Sequence, residues 1–193
     1  MTNTLILVFH PDLAASKANA ALAAAAGRVD GVEIVDVQSE YPDGRIDMFG
    51  DGGREADRLA RFDRIVLQFP LQWYSAPPLL KAWQNAVLTR MFYIHPDTEG
   101  QALAGKAMAV AVTAGNVAEA YRSGGANMFT MEALLAPLMA TAHRCGLVWE
   151  DSFVVYRADK LAAHDLAVAG AAYADRLRRA PVAPMSAPFA MEA

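Results

Sequence analysis

Apolar residues in this chain cluster in short, largely apolar runs separated by longer stretches of mixed character. Thr4 to Phe9, Val32 to Val37, Ile65 to Phe69, Ala107 to Val112 and Val148 to Tyr156 are the five such runs that read as strands. The central run, Ile65 to Phe69, is of the kind a parallel strand buried on both faces requires, and Thr4 to Phe9 reads as a buried strand as well. Helical stretches alternate with them. The first begins near Ser16, runs through an alanine-rich segment to Ala26 and stops at Gly27. Ser39 to Gly53, rich in Asp, Gly and Pro, reads as a loop before a short helix from Arg54 to Phe62. Pro77 and Pro78 sit where a first helical turn tolerates a missing N–H, and their helix continues through Leu80, Trp83 and Val87. Thr89 to Lys106 reads as a long connection, and Val117 to Asn127 as a second one bending at Gly124-Gly125. A helix is expected over Thr130 to Arg144, bent near Pro137. Asp159 is placed to cap a last helix that carries Leu166, Ala169, Gly170, Tyr173 and Leu177 on one face.

Five strands alternating with helices, with no repeat or linker, predict one α/β domain over residues 1–180. The simplest architecture is a flavodoxin-like doubly wound parallel sheet, strand order 2-1-3-4-5, with helices on both faces. A dinucleotide-binding order lacks its signature, since no Gly-x-Gly-x-x-Gly follows the first strand. The Pro- and Ala-rich residues 181–193 have little to bury and read as a tail.

Composition narrows the function. The chain has 193 residues and a formal net charge of −4, with no Lys/Arg run, so a nucleic-acid partner is not expected. Cys145 is the single cysteine, which excludes an intrachain disulfide and a thiolate metal cluster. It precedes Gly146 at a helix end and reads as a small buried hydrophobe. The run Leu5 to Phe9 is far too short for a signal peptide or membrane span, and a cytoplasmic address is the expectation.

In the predicted topology the loops after strands one, three and four meet at the strand carboxyl ends, where open α/β sheets bind their ligands. The first is His10 to Asn19. If Ser16 opens a helix, its hydroxyl and the N–H groups of Lys17, Ala18 and Asn19 face one point, which suits a phosphate as well as a plain cap. The second, Leu71-Gln72-Trp73-Tyr74, is bracketed by prolines off the end of the central strand. Its backbone groups and two aromatic rings suit a flat heterocycle. The third, Thr113-Ala114-Gly115-Asn116, adds a hydroxyl, a permissive glycine and an amide.

Two of these segments carry a resemblance to a known family. His-Pro-x-x-x-x-Ser-x-x-Asn at 10–19 and Phe-Pro-Leu-Gln-Trp-Tyr-Ser-x-Pro-Pro-Leu-Leu-Lys-x-Trp at 69–83 resemble motifs of the NAD(P)H:quinone oxidoreductase (DT-diaphorase-like) flavoproteins. Tyr41-Pro-Asp, Ile46-Asp47 and Gly146-Leu-Val-Trp are similar to the small bacterial FMN members, including the ancillary oxidoreductase of glutathione-gated potassium efflux systems. The resemblance implies a homodimer that holds FMN, with FAD the less favoured alternative because the chain lacks the C-terminal extension of the FAD relatives. It would reduce quinones or related electrophiles with NAD(P)H. It also assigns roles. His10 with Ser16 to Asn19 would hold the phosphate, Pro70 to Tyr74 would line the isoalloxazine, and Thr113 to Asn116 its pyrimidine edge. Tyr121 would steady the reduced flavin, and Phe92, Tyr93 and His95 would face substrate, helping to complete the partner's site. The alternative implied is a regulatory subunit of a potassium efflux transporter whose turnover is incidental. No metal is implied.

Overall fold

The computed structural model describes residues 2–181. The strands are β1 (Thr4–Val8), β2 (Val32–Asp36), β3 (Arg64–Pro70), β4 (Ala107–Thr113), β5 (Val148–Trp149) and β6 (Phe153–Val155). The helices are α1 (Ala18–Ala26), α2 (Val37–Glu40), α3 (Asp51–Ala60), α4 (Pro78–Trp83), α5 (Met131–Arg144) and α6 (Ala163–Arg178). The sheet is parallel in the order β2-β1-β3-β4-β5, as the apolar runs predict, with β6 also pairing β4. Every residue of β1 and β4 is buried, which is why these strands contain no alternating polar face. One core layer packs Leu5, Leu7, Leu67 and Val110 against the helices that follow β3 and β4. The other packs Ile6, Val66 and Ala109 against α1 and α6. Tyr173 and Leu177 of α6 are buried there, on the face the spacing assigned to them.

Several local expectations are corrected. The second strand stops at Asp36, because the Asp36 carboxylate accepts from the N–H groups of Gln38 and Ser39 and starts α2 inside the expected loop. The next helix, α3, begins at Asp51 and not at Arg54. Its two glycines lie under the Arg90 side chain. A Cβ on Gly52 would come within 3.0 Å of Arg90 Cδ, so the glycines serve close packing inside a helix and not a turn. The fifth strand is broken. Ala107 pairs Val148 while Ala111 pairs Phe153, so one extra residue is accommodated between them as a bulge. Beside this bulge Arg64 is buried against Glu150, with Nη2 3.3 Å from Oε1, and donates to the carbonyls of Leu177 and Arg179. Arg64 Nε lies 3.1 Å from Glu150 Oε2 but is too bent to count as a hydrogen bond. Asp159 does not cap α6, whose N-cap is Ala162 with no side-chain bond.

The largest correction concerns Thr89 to Lys106. Instead of a loop, α4 continues into wide π-type turns at Gln84–Leu88, Arg90–Ile94 and Pro96–Gly100, closing with a 3-10 turn at Gln101–Leu103. Arg90 clamps these turns with a two-pronged bond to Glu99 at 2.7 and 2.9 Å, nine residues on. Cys145 is buried, and burial pushes its thiol up to about 11. The tail expected over 181–193 falls, beyond Pro181, outside the described residues.

A buried carboxylate joins α3 to α4. Glu55 is fully buried and accepts from Tyr41 Oη at 3.0 Å, Trp83 Nε1 at 3.0 Å and Arg58 Nη1 at 2.8 Å. Removing the cation should therefore leave a charge in the interior. Arg58→Met is expected to destabilise the protein by about 3 kcal/mol. Arg54→Met, on the exposed side of the same cluster, should cost under about 1 kcal/mol. Urea unfolding of the two variants checks this; equal effects would mean that Glu55 does not depend on Arg58.

Candidate functional site

The strand register brings the three loops together. Val8, Gln68 and Ala111 lie side by side across β1, β3 and β4, so the chain leaves these strands at nearly one level. The loops are then bonded to each other. Asn19 Nδ2 donates to Thr113 Oγ1 at 2.9 Å, Leu71 N–H donates to the Thr113 carbonyl at 2.8 Å, and Gln68 Nε2 donates to the Asn19 carbonyl at 2.9 Å.

At the first loop, α1 starts at Ala18, two residues later than expected, and the Ser16 hydroxyl accepts from Asn19 N–H at 3.2 Å. Ser16 is thus a capping group, while its own proton is left to donate elsewhere. No acidic residue occupies the first turn of α1. The N–H groups of Lys17 and Ala18 meet no acceptor among the described residues. An anion placed there would gain those donors and the positive end of the helix. Asn19 faces the other way: it is 1% exposed, and its side chain is engaged with Thr113 and Gln68. His10 Nδ1 accepts from Asp12 N–H at 3.1 Å, which leaves the proton of the neutral ring on Nε2. Burial lowers the His10 pKa, partly offset by the Asp12 backbone and the nearby Asp12 and Asp36 carboxylates, so the ring is a neutral donor at neutral pH.

The second loop holds the most strained backbone of the site. Gln72 and Ser75 exchange both backbone bonds, at 2.9 and 3.0 Å, closing a two-residue turn over Trp73 and Tyr74. Both central residues have positive φ, 46° and 64°, a conformation that such turns normally give to Asn and Gly. Bulky residues pay for it in steric energy, and the turn leaves Trp73 94% exposed. The N–H groups of Trp73 and Tyr74 meet no acceptor among the described residues. Pro70 and Leu71 form the half-buried base beneath them.

At the third loop Thr113 and Ala114 are buried while Gly115 and Asn116 are exposed. Tyr121, after a short turn at Ala118–Ala120, packs its ring 5.5 Å from that of Tyr156. Burial raises the Tyr121 pKa and the neighbouring Tyr74 adds to the rise, against the Asn116 N–H beside its oxygen, so the phenol stays protonated. Tyr74 Oη reaches Asn127 Oδ1 at 3.5 Å, and Met128 and Phe129 continue an exposed apolar rim.

Phe92, Tyr93 and His95 do not reach this crevice within their own chain. Phe92 is a core residue, and Tyr93 is exposed with the Arg144 guanidinium over its ring at 5.3 Å. Both line a separate cavity of about 350 Å³ between the π-type turns and α5. His95 ends one of those turns, its N–H donating to the Arg90 carbonyl. Gln68, Tyr156 and Asn127 are the site residues that sequence reasoning did not single out. For Gln68 a signal existed: it is the one polar residue in an otherwise apolar run from Ile65 to Phe69.

A parallel sheet of this order, with three bonded loops at its switch point, defines a flavodoxin-like domain. The chain belongs to the family described by the flavodoxin-like fold, whose model matches residues 2–178. Among curated proteins it is 40% identical over 162 residues to general stress protein 14 of Bacillus subtilis (84% of this chain, 89% of that one). It is 37% identical over 164 residues to the uncharacterized NAD(P)H oxidoreductase YdeQ of the same organism (85% and 80%). To the glutathione-regulated potassium-efflux system ancillary protein KefG of Escherichia coli it is 36% identical over 180 residues (93% and 94%). Solved structures agree in fold. A thermophilic tryptophan halogenase reported from Streptomycin violaceusniger superposes with a TM-score of 0.82 at 37% identity (91% and 99% covered). General stress protein 14 of Treponema denticola, in complex with FMN, gives 0.80 at 29% (91% and 97%). An NADPH-quinone reductase from P. pentosaceus gives 0.75 at 30% (90% and 96%).

The strained turn yields a test. Trp73→Asn combined with Tyr74→Gly supplies the residues the turn prefers and should stabilise the flavin-free protein by about 1 kcal/mol. The same change removes both aromatic walls and should weaken flavin binding at least about tenfold. Denaturant unfolding and flavin titration of one preparation measure both; a variant that is less stable would mean that the turn carries no strain.

Proposed function

We propose that this protein is an FMN-dependent NAD(P)H oxidoreductase that reduces quinones or related electrophiles. The observation that carries the reading is the bonded convergence of a helix start free of acidic residues, an aromatic turn with unused N–H groups and the β4 end. That donor set fits FMN: an anion site at one end, flat walls in the middle and hydrogen-bonding backbone at the other. The names of an NAD(P)H oxidoreductase, an NADPH-quinone reductase and an FMN complex among the relatives support it. Those names diverge on what is acted upon, so the acceptor rests on the open aromatic rim and not on likeness.

When bound, FMN supplies the acceptance and delivery of hydride. The residues of the chain bind, orient and shield. Ser16, Lys17 and Ala18, with His10 as a neutral Nε2–H donor, hold the phosphate, and Asn19 braces them from below. Pro70 to Tyr74 line the ring system, and Thr113 to Asn116 flank its polar edge. Tyr121, kept protonated, would offer its hydroxyl to negative charge on the bound ring. In this reading the bound ring would keep one open face, between Trp73 and Tyr121. Hydride transfer needs the donor carbon within about 3–3.5 Å. Nicotinamide and quinone therefore require the same space and occupy it in turn.

A homodimer completes the site in this reading. Tyr93 and Ile94 are exposed on the π-type turns, and Trp73, Met128 and Phe129 on the rim, apolar side chains that a partner subunit would cover. In the dimer, Phe92, Tyr93 and His95 would serve the partner's crevice. The likeness to KefG supports a second reading, attachment to a potassium efflux transporter in the cytoplasm, which co-purification with that membrane protein would detect.

Double-reciprocal plots against NAD(P)H at several quinone concentrations should be parallel; intersecting lines would mean two separate pockets and contradict the shared face. Tyr121→Phe should lower kcat about tenfold, the worth of one hydrogen bond of about 1.4 kcal/mol, with flavin content unchanged.

A further inference from the structure

Gln68 lies within β3 and is fully buried, a costly place for an amide. Its Nε2 donates to the Asn19 carbonyl at 2.9 Å and lies 3.4 Å from Asn19 Oδ1, while its Oε1 has no partner among the described residues. The opposite amide orientation would set the Gln68 oxygen against both Asn19 oxygens, so the donor direction is fixed by chemistry. With Oδ1 turned toward Gln68, Asn19 presents Nδ2 to Thr113 Oγ1, 2.9 Å away. A hydroxyl has one proton. Because Thr113 Oγ1 accepts from Asn19, that proton is left to donate away from Asn19, and no acceptor for it exists among the described residues. Thr113 ends β4 and is 5% exposed at the edge of the crevice. The donors therefore run one way, from Gln68 to Asn19 to Thr113 to the crevice.

We propose that Gln68 is a positioning residue: through Asn19 it fixes the Thr113 hydroxyl as a hydrogen-bond donor toward the bound cofactor ring. This rests on the FMN reading above. The same chain of bonds braces the phosphate loop, because Asn19 also gives its N–H to Ser16 Oγ. A fixed donor at the polar edge of the ring favours the electron-rich reduced form over the oxidised one. Gln68 thus sets the reduction potential without touching the cofactor.

The test uses flavin-free full-length protein reloaded with FMN, and reads the midpoint potential of the bound flavin together with its dissociation constant. Thr113→Val should weaken reduced relative to oxidised FMN about tenfold, equivalent to a fall of about 30 mV for a two-electron couple. Thr113→Ser should restore the wild-type value. Gln68→Leu should shift the potential in the same direction, and should add nothing in the Thr113→Val background. If Gln68→Leu does not fold, Asn19→Asp replaces it. Its carboxylate accepts from both neighbours and turns the Thr113 proton inward, so it should lower the potential more in wild type than in Thr113→Val. A Gln68 variant that melts earlier but keeps the wild-type potential, or shifts that simply add in the double variant, would overturn the proposal. Failure of the wild-type chain to take up FMN, seen before any variant is made, would instead remove the reading on which it rests.

Discussion

The buried hydrogen bond from Asn19 to Thr113 spans 94 residues of sequence and joins the two ends of the site. It forms because β1, β3 and β4 are neighbours in the sheet, with Val8, Gln68 and Ala111 in register. A slip of one residue in β3 would turn Gln68 to the opposite face and remove the amide that supports Asn19. The start of α1, the aromatic turn and the β4 end thus have fixed relative positions before any ligand arrives. Preorganisation of this kind lets a weakly anchored, noncovalent cofactor be held by many modest contacts.

Rigidity below the crevice supports strain above it. The turn at Trp73 and Tyr74 is held at one side by the Leu71 bond to Thr113 and at the other by α4, which starts at Pro78. Glu55 in turn fixes α4 through Trp83, and the Trp83 ring meets Phe9 edge-on at 5.9 Å. Two aromatic residues can therefore stay in left-handed backbone, with the Trp73 ring exposed and their N–H groups open. A relaxed Asn-Gly turn would satisfy the backbone and offer no wall. The unfavourable conformation is the means by which one loop supplies both donors and apolar surface.

Much of this was legible in the sequence, for reasons that are local. Five short, largely apolar runs alternating with helical stretches pointed to a parallel sheet and its simplest order. The central runs, β1, β3 and β4, are the ones that proved most deeply buried, and the prolines around Leu71 to Ser75 marked a loop with a purpose. Other features depend on distant partners. The glycines at 52 and 53 read as the end of a loop because nothing nearby reveals that Arg90 must cross them. The π-type turns after Trp83 were invisible because their period is not the helical one, and because the clamp between Arg90 and Glu99 acts across nine residues. The break in the last strand reflects the bulge beside the buried Arg64–Glu150 pair. Within the site, the residue types facing the crevice could be named, but not their directions. Asn19 looks like a phosphate ligand by spacing, and only its burial reveals a brace.

The central claim is that the three loops hold FMN with its phosphate at the start of α1. Titration of flavin-free protein with FMN and with riboflavin, followed by flavin fluorescence, tests it most directly. Two or more charged hydrogen bonds to the phosphate, each worth about 1.5–3 kcal/mol, should make FMN bind at least about a hundredfold tighter than riboflavin. Equal affinity for the two, or no binding of either, would contradict the account.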